Sequence, residues 1–432
     1  MKRHIFLFFY FFSFASVFAQ QYVVGGGSGT PLLARSANKI EVWLLYGMNG
    51  AQISYTTPSS TERHQWYRYA TKANEAVPVE STQTGTTSIV TDVQEGYGYF
   101  VGATNDPSTG YVWIIDYSKY LPVFHSLHVN EGDDKCSKLR LNTNADVPEL
   151  KYYTSTGVLS TLTRKFTLSY ATLEWLSESL VFAPKDESMV VENLSVIEVK
   201  APLKDTDFVL TGDEYAEHFS VGKTISTPVY QAVALEAHGI DTRNKEKAPN
   251  EFEEQGAGSA PIHITFNGYA NDPVSGMYIW KIFKLDKNGN WISVVRYPDK
   301  NMSYNFVEDG DFRVDLEVID RKSVCVDSSQ TFSVKIGDTE IKVPKAFSPG
   351  SSSGANDEFR VSYTSVVNFK CTIFNRWGTK LYEWNDPAKG WDGRVNGRFV
   401  PTGVYFYIIQ YKGTDGKNKT KKGSVNVLRA KY

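Results

Sequence analysis

Gly350-Ser351-Ser352-Ser353-Gly354 spells G-x-S-x-G, the string that in a nucleophile elbow presents a serine for acyl transfer. An elbow needs a strand before the serine, a helix after it and a histidine later in the chain as base. No histidine follows His263, so the stretch reads as a loop. His125 and His128 (HSLH) are metal-ligand types, but three positions apart on a strand they project to opposite faces. Neither H-E-x-x-H nor C-x-x-C occurs. Asp286-Lys287-Asn288-Gly289-Asn290 imitates the start of a calcium loop. Its glycine is at the fourth position rather than the sixth, and Tyr297 rather than glutamate occupies the twelfth. A hairpin turn accounts for it better. GYGYFVG around Tyr99 lacks the third glycine of a dinucleotide fingerprint. Carboxylates are plentiful, but none is marked by spacing as an acid–base pair. No catalytic residue, cofactor or metal is assigned, and the chain is expected not to be an enzyme.

The elements that would position such residues are strands. The chain has 432 residues, 41% apolar and 22% charged, with Tyr 26, Phe 25, Trp 9 and Gly 33. That mixture favours strands and tight turns over helices, and it excludes a collagen, a coiled coil or a long disordered tail. With 46 basic against 48 acidic side chains, the net charge of −2 gives the whole chain no electrostatic footprint for nucleic acid. Short apolar or alternating runs, such as KIEVWLLYG near Trp43 and GYVWIIDY near Trp113, are punctuated by Gly, Asn, Asp and Pro. They outline an all-β chain of tandem immunoglobulin-like β-sandwiches: a domain over 22–128, a β-rich domain over 129–250, a third over 260–340 and a small sandwich over 341–432. ATLEWLSESL around Trp175 is ambiguous between strand and helix. DTRNKEKAPNEFEEQGAGSAP, starting at Asp241, reads as a linker.

Lys2, Arg3 and His4 precede an apolar stretch from Ile5 to Phe18, and Val17-Phe18-Ala19 has small residues where a signal peptidase reads. About 14 apolar residues are too few for a helix to span a ~30 Å hydrocarbon core, so residues 1–19 are expected to be a cleaved signal peptide and the mature chain to have no transmembrane span. Export to an oxidising compartment permits disulfides. Cys136, Cys325 and Cys371 are odd in number and far apart, and the latter two lie in strand-like contexts. All three are expected to be free thiols.

In the third domain, Asn288-Gly289 between two strand-like runs signals a hairpin. Phe312, Val314, Leu316 and Val318 alternate with Arg313, Asp315 and Glu317, giving one buried and one wet face. With Trp280 in the place of a core aromatic, this stretch resembles polycystic-kidney-disease-type (PKD) immunoglobulin-like domains, although Trp280 is followed by Lys-Ile-Phe rather than Asp-Phe-Gly.

The last ~90 residues carry VPKAFSP, NDEFRV, FNRWGTKLYEW, KGWDG, VPTGVYFYII and KKGSVNVLR in that order. This succession resembles the gliding-motility-associated C-terminal domain, the type B sorting domain of the type IX secretion system of Bacteroidota. The resemblance implies passage through the type IX translocon to the cell surface, and association with a PorP/SprF-like outer-membrane protein. Gly350–Gly354 stands where the family carries Asn-Gly-Asp-Gly, so any cation held by that loop in relatives is not expected here. The motif and candidate docking residues carried over are Phe374, Asn375, Arg376, Trp377, Gly378, Trp391, Asp392, Gly393, Gly403, Tyr405, Lys419, Lys421, Lys422, Gly423 and Arg429. Trp377, Trp384 and Trp391 are expected as core anchors, and Lys419, Lys421 and Lys422 as an exposed cluster by the turn at Asp415-Gly416. From Pro344 onward 15 basic residues face 6 acidic ones, a net +9 that leaves −11 for the remainder. A basic module ending an acidic chain suits docking to an acidic partner or membrane surface. The cargo sandwiches are expected to serve adhesion or structural display toward a host or extracellular ligand. An accessory or signalling component of the secretion or gliding machinery is the alternative, and a surface hydrolase a third.

Overall fold

The computed structural model describes residues 22–57, 63–102, 109–130, 132, 134–243, 246–253, 256–350 and 356–428. The stretch read as a signal peptide, Ser351–Gly354 and Arg429 lie outside them. Strands dominate, with a single short α-helix, Glu214–His218, among the described residues.

The first sandwich sets a four-stranded sheet beginning with Tyr22–Gly25 against a six-stranded one that contains Ile40–Leu45, Trp66–Tyr69, Tyr97–Val101 and Tyr111–Asp116. Ile40–Leu45 and Tyr111–Asp116 run parallel, and both are apolar almost throughout because both faces are covered. One face packs Trp43, Leu45, Val112 and Ile114 on Tyr22, Ile53 and Trp66. The other packs Val42, Leu44, Trp113 and Ile115 on Leu150, Tyr152 and Leu162, from a region the sequence assigns to the next domain, and on Tyr215. A buried polar knot locks this junction. Asp213 accepts from the Tyr117 hydroxyl at 2.5 Å and from Arg164, whose guanidinium also donates to Pro148 O at 2.7 Å. Such a charge is tolerated inside only because it is paired and fully hydrogen-bonded.

In the second sandwich, Phe166–Leu176 and Val181–Val191 form a long hairpin, so the ambiguous segment around Trp175 is strand. Phe166, Leu168 and Tyr170 alternate inward, which favours a two-residue period over a helical one. Ala237–Arg243, read as part of the second domain and the start of a linker, instead pairs with Ile262–Ala270 in the third sandwich. Trp280, Phe312, Val314, Leu316 and Val318 fill that core, and the hairpin at Asn288-Gly289 is present. Asp286 is the turn's anchor: its Oδ1 accepts from the backbone N–H groups of Asn288 and Asn290, both at 2.8 Å. These bonds hold its carboxyl below the usual aspartate value.

The cysteine expectation is corrected. Cys136 and Cys325 form a disulfide across 189 residues of sequence, with Cα atoms 5.6 Å apart, while Cys371 is a free, buried thiol. Cys325 lies in the turn after Gly310–Asp320 rather than within a strand, and Cys136 lies in the turn before Lys138–Asp146. The ends of the second and third sandwiches abut there. At the same junction fully buried Asn271 donates to Leu203 O at 2.8 Å and to Ala234 O at 3.0 Å.

The C-terminal sandwich is built on a five-stranded sheet ordered Ala346–Phe347, Asn418–Val427, Gly403–Gly413, Val366–Phe374, Lys380–Trp384. Phe347, Phe359, Cys371, Ile373, Trp384, Trp391, Tyr405 and Ile409 form its core. The expected linker is built into it: Phe252 N donates to Tyr363 O at 3.0 Å and Tyr363 N to Asn250 O at 3.1 Å, adding a short parallel bridge to the domain's edge. Asn250 Nδ2 also reaches Val361 O and Pro387 O, each at 2.7 Å.

Candidate docking surface of the C-terminal domain

Phe374 to Gly378 form the tip of a hairpin. Asn375 Oδ1 accepts from Trp377 N at 3.0 Å and Thr379 N at 2.9 Å, closing an Asx turn, and Gly378 supplies the left-handed backbone (φ 82°) that a side chain would strain. This turn throws Trp377 outward. It is 74% exposed, with the Arg376 guanidinium 4.2 Å above its ring. Trp377 is therefore not the core anchor the sequence suggested, because the turn geometry, not the size of the indole, decides its direction. Trp391 is fully buried, as expected, and its indole N–H donates to Arg394 O at 2.9 Å. Trp384 is buried too.

The other motif residues shape turns and strand packing rather than a surface. Asp392 Oδ1 accepts from Arg394 N at 3.0 Å and caps the turn after Trp391. A Cβ on Gly393 would meet Pro349 Cγ at 2.9 Å, and one on Gly423 would meet the Tyr407 hydroxyl oxygen at 2.3 Å, since that ring lies across it. Gly403 opens its strand at φ 147°. Tyr405 is buried, its hydroxyl donating to Pro401 O at 2.9 Å.

The three lysines do not form one patch. All sit on the strand Asn418–Val427, whose alternation splits them between faces. Lys419 pairs with Asp415 at 3.0 Å, which raises its pKa. Lys421 Nζ donates to Ile341 O at 2.9 Å. Lys422 alone of the three points away from the core, opposite Ile408.

That outer face gathers residues that motif reading missed. Across the registered strands, Phe374 faces Phe406, Thr372 faces Ile408, Lys370 faces Gln410 and Asn368 faces Lys412. The signal was available in VYFYIIQYK, where Tyr405, Tyr407 and Ile409 alternate with Phe406, Ile408 and Gln410. Glu383 lies on the same face, 3.2 Å from both Lys370 and Lys380, and these bonds with one from Thr372 hold its carboxyl below the usual glutamate value. One end of the face borders a hollow of about 420 Å³ whose lining includes Asn368, Lys370, Gln410, Lys412, Asn418 and Thr420. Elsewhere, His125 is ion-paired in geometry with Asp146 at 2.9 Å and His128 is exposed. Among the described residues no group of three or more His, Cys, Asp and Glu could hold a metal. No helix among them is long and apolar enough to cross a membrane.

Residues 341–427 match the CHU_C type IX secretion signal domain, and residues 128–227 match a fibronectin type III domain. The C-terminal domain is thus a type IX sorting module, which directs the chain across the outer membrane to the cell surface or extracellular space and implies recognition by the type IX machinery. It travels with immunoglobulin-like cargo, and neither matched domain is catalytic. No curated protein matches the chain. Among solved structures, dimeric latent PorU from Porphyromonas gingivalis aligns with 74% of this chain and 35% of its own, at 10% identity and a TM-score of 0.17. The chain thus spans about a third of that protein's length. A Ca²⁺-stabilised, ice-binding adhesin of an Antarctic bacterium aligns with 94% of this chain and all of its own, at 13% identity and a TM-score of 0.19. Neither likeness bears on function.

Proposed function

We propose that the chain is a surface-displayed, non-enzymatic protein whose sandwiches serve adhesion or structural display. An N-terminal signal peptide delivers it to the periplasm, and the C-terminal domain hands it to the type IX translocon and then to a PorP/SprF-like outer-membrane protein. The observation that carries this reading is the sorting domain itself, matched over 341–427, at the end of a chain whose residues from Pro344 onward carry +9 while the rest is acidic. The adhesive role rests on fold-level analogy: sandwich arrays present binding surfaces on loops and faces held by a rigid scaffold.

The test is a chain lacking residues 341–432, compared with the full chain in cells with and without a working type IX translocon. Retention of the truncated chain in the periplasm supports the reading. Normal surface exposure without the domain would overturn it.

A further inference from the structure

The core-distal face of the C-terminal sheet is graded. At one end stand Phe374, Phe406 and Val404, with Phe406 45% and Val404 50% exposed, and just beyond them the hairpin tip holds out Trp377, 74% exposed. Next comes a row of Thr372, Ile408 and Lys422, and beyond it Lys370, Gln410 and Thr420, then Asn368, Lys412 and Asn418. The same strands turn Cys371, Ile373, Tyr405, Tyr407, Ile409 and Val425 into the core, so the two faces of one sheet differ entirely in chemistry. Strands of 2, 10, 11, 9 and 5 residues, at about 3.4 Å per residue and about 4.8 Å apart, give this face roughly 600 Å². With the hairpin tip that carries Trp377 beyond it, that approaches the about 800 Å² per partner of a standard protein interface. Its charge is one-sided. Glu383 is shared by Lys370 and Lys380 and offsets one of their two charges, whereas Arg376, Lys412 and Lys422 have no carboxylate partner among the described residues.

We infer that this face is where the sorting domain docks, and that its occupant is an acidic protein. Such a partner offers an apolar pocket to the Trp377 indole and carboxylates to the lysine and amide half. The inference rests on the sorting reading above and names the surface that performs it. An exposed indole flanked by arginine has the composition of an interface hot spot, and the amides supply the polar rim that fixes register. An anionic bilayer would attract the cations and the indole. It would give Asn368, Gln410 and Asn418 no fixed partners, however, and would set like charge against Glu383.

Full-length chains carrying Trp377→Ala, Lys412→Glu/Lys422→Glu, or the control Lys389→Glu/Arg398→Glu are compared for surface exposure by protease accessibility on intact cells, alongside thermal melts and the 341–432 deletion. The expected result is a fall of about tenfold or more in surface exposure for the first two variants, with melts unchanged and the control normal. Normal exposure of both face variants, with the deletion still blocking export, overturns the assignment of this face and leaves the sorting reading intact. Normal exposure of the deletion removes both. An equal fall in the control shows that total charge rather than this face is read, and it too overturns the assignment. The purified chain is also sedimented with phosphatidylglycerol-rich and phosphatidylcholine vesicles. Binding to the former that Trp377→Ala abolishes would make the occupant a lipid surface and overturn the protein partner.

Discussion

At the residue scale, two tryptophans of one small domain have opposite fates. Trp391 contacts Phe347 and Tyr405, with ring centroids at 5.5 and 5.7 Å, and its N–H is satisfied inside. Trp391→Ala is expected to cost about 3–5 kcal/mol, the usual range for truncating a buried aromatic. Trp377→Ala removes a side chain that touches little besides Arg376 and should stay within about 0.5 kcal/mol of the parent. Urea titrations of the two variants check this, and comparable losses would contradict the turn geometry. Cys371 offers a second prediction. Burial pushes its thiol well above the ordinary cysteine value, so the thiolate that reacts is scarce. Alkylation followed by intact mass is expected to add no label to the native chain and one label to the unfolded, unreduced chain. Three labels in the unfolded chain would deny the disulfide.

At the element scale, the segment Asn250–Phe252 matters because it belongs to a sheet edge far along the chain. The Asn250 amide donates to two carbonyls, and the flanking backbone pairs with Tyr363. Removing one partner from such a part-buried arrangement leaves carbonyls without their donors. Asn250→Ala is therefore expected to destabilise the C-terminal domain by roughly 1–3 kcal/mol. Limited proteolysis near Val361 and Pro387, faster in the variant than in the parent, is the measurement. Unchanged cleavage and stability would mean that the segment merely lies on the domain. Composition alone marked this stretch as a linker because it is charged and carries Pro and Gly. Its few apolar and amide groups find partners only once the sorting domain is folded beside it.

At the scale of the whole molecule, the sandwiches are joined by structure rather than strung on flexible connections. Arg164, Asp213 and Tyr117 bolt the first to the second, Asn271 and the disulfide bolt the second to the third, and Ser259 with Ser365 helps hold the third to the fourth. A crosslink closing 189 residues limits the unfolded chain strongly. Reducing it is expected to lower stability by about 2–5 kcal/mol, seen as an earlier thermal transition with dithiothreitol than without. Coincident transitions would show that the crosslink contributes nothing to stability.

The sequence by itself determined the all-β class, the sorting domain and the hairpins at Asn288-Gly289 and Asp415-Gly416. Each is written in local information: two-residue alternation, turn residues of defined backbone preference, and a run of motifs within one ~90-residue span. It also determined that Trp391 would be interior and that the basic charge would gather at the end of the chain. Only the tertiary structure decided the Cys136–Cys325 bond, the capture of Asn250–Phe252 by a distant edge, and which face of the last strand, that of Lys419 and Lys421 or that of Lys422, would be the core side. These depend on which sandwich ends abut and on which side of a sheet another layer covers. Such facts are set by contacts between residues tens to hundreds of positions apart, and no local pattern encodes them.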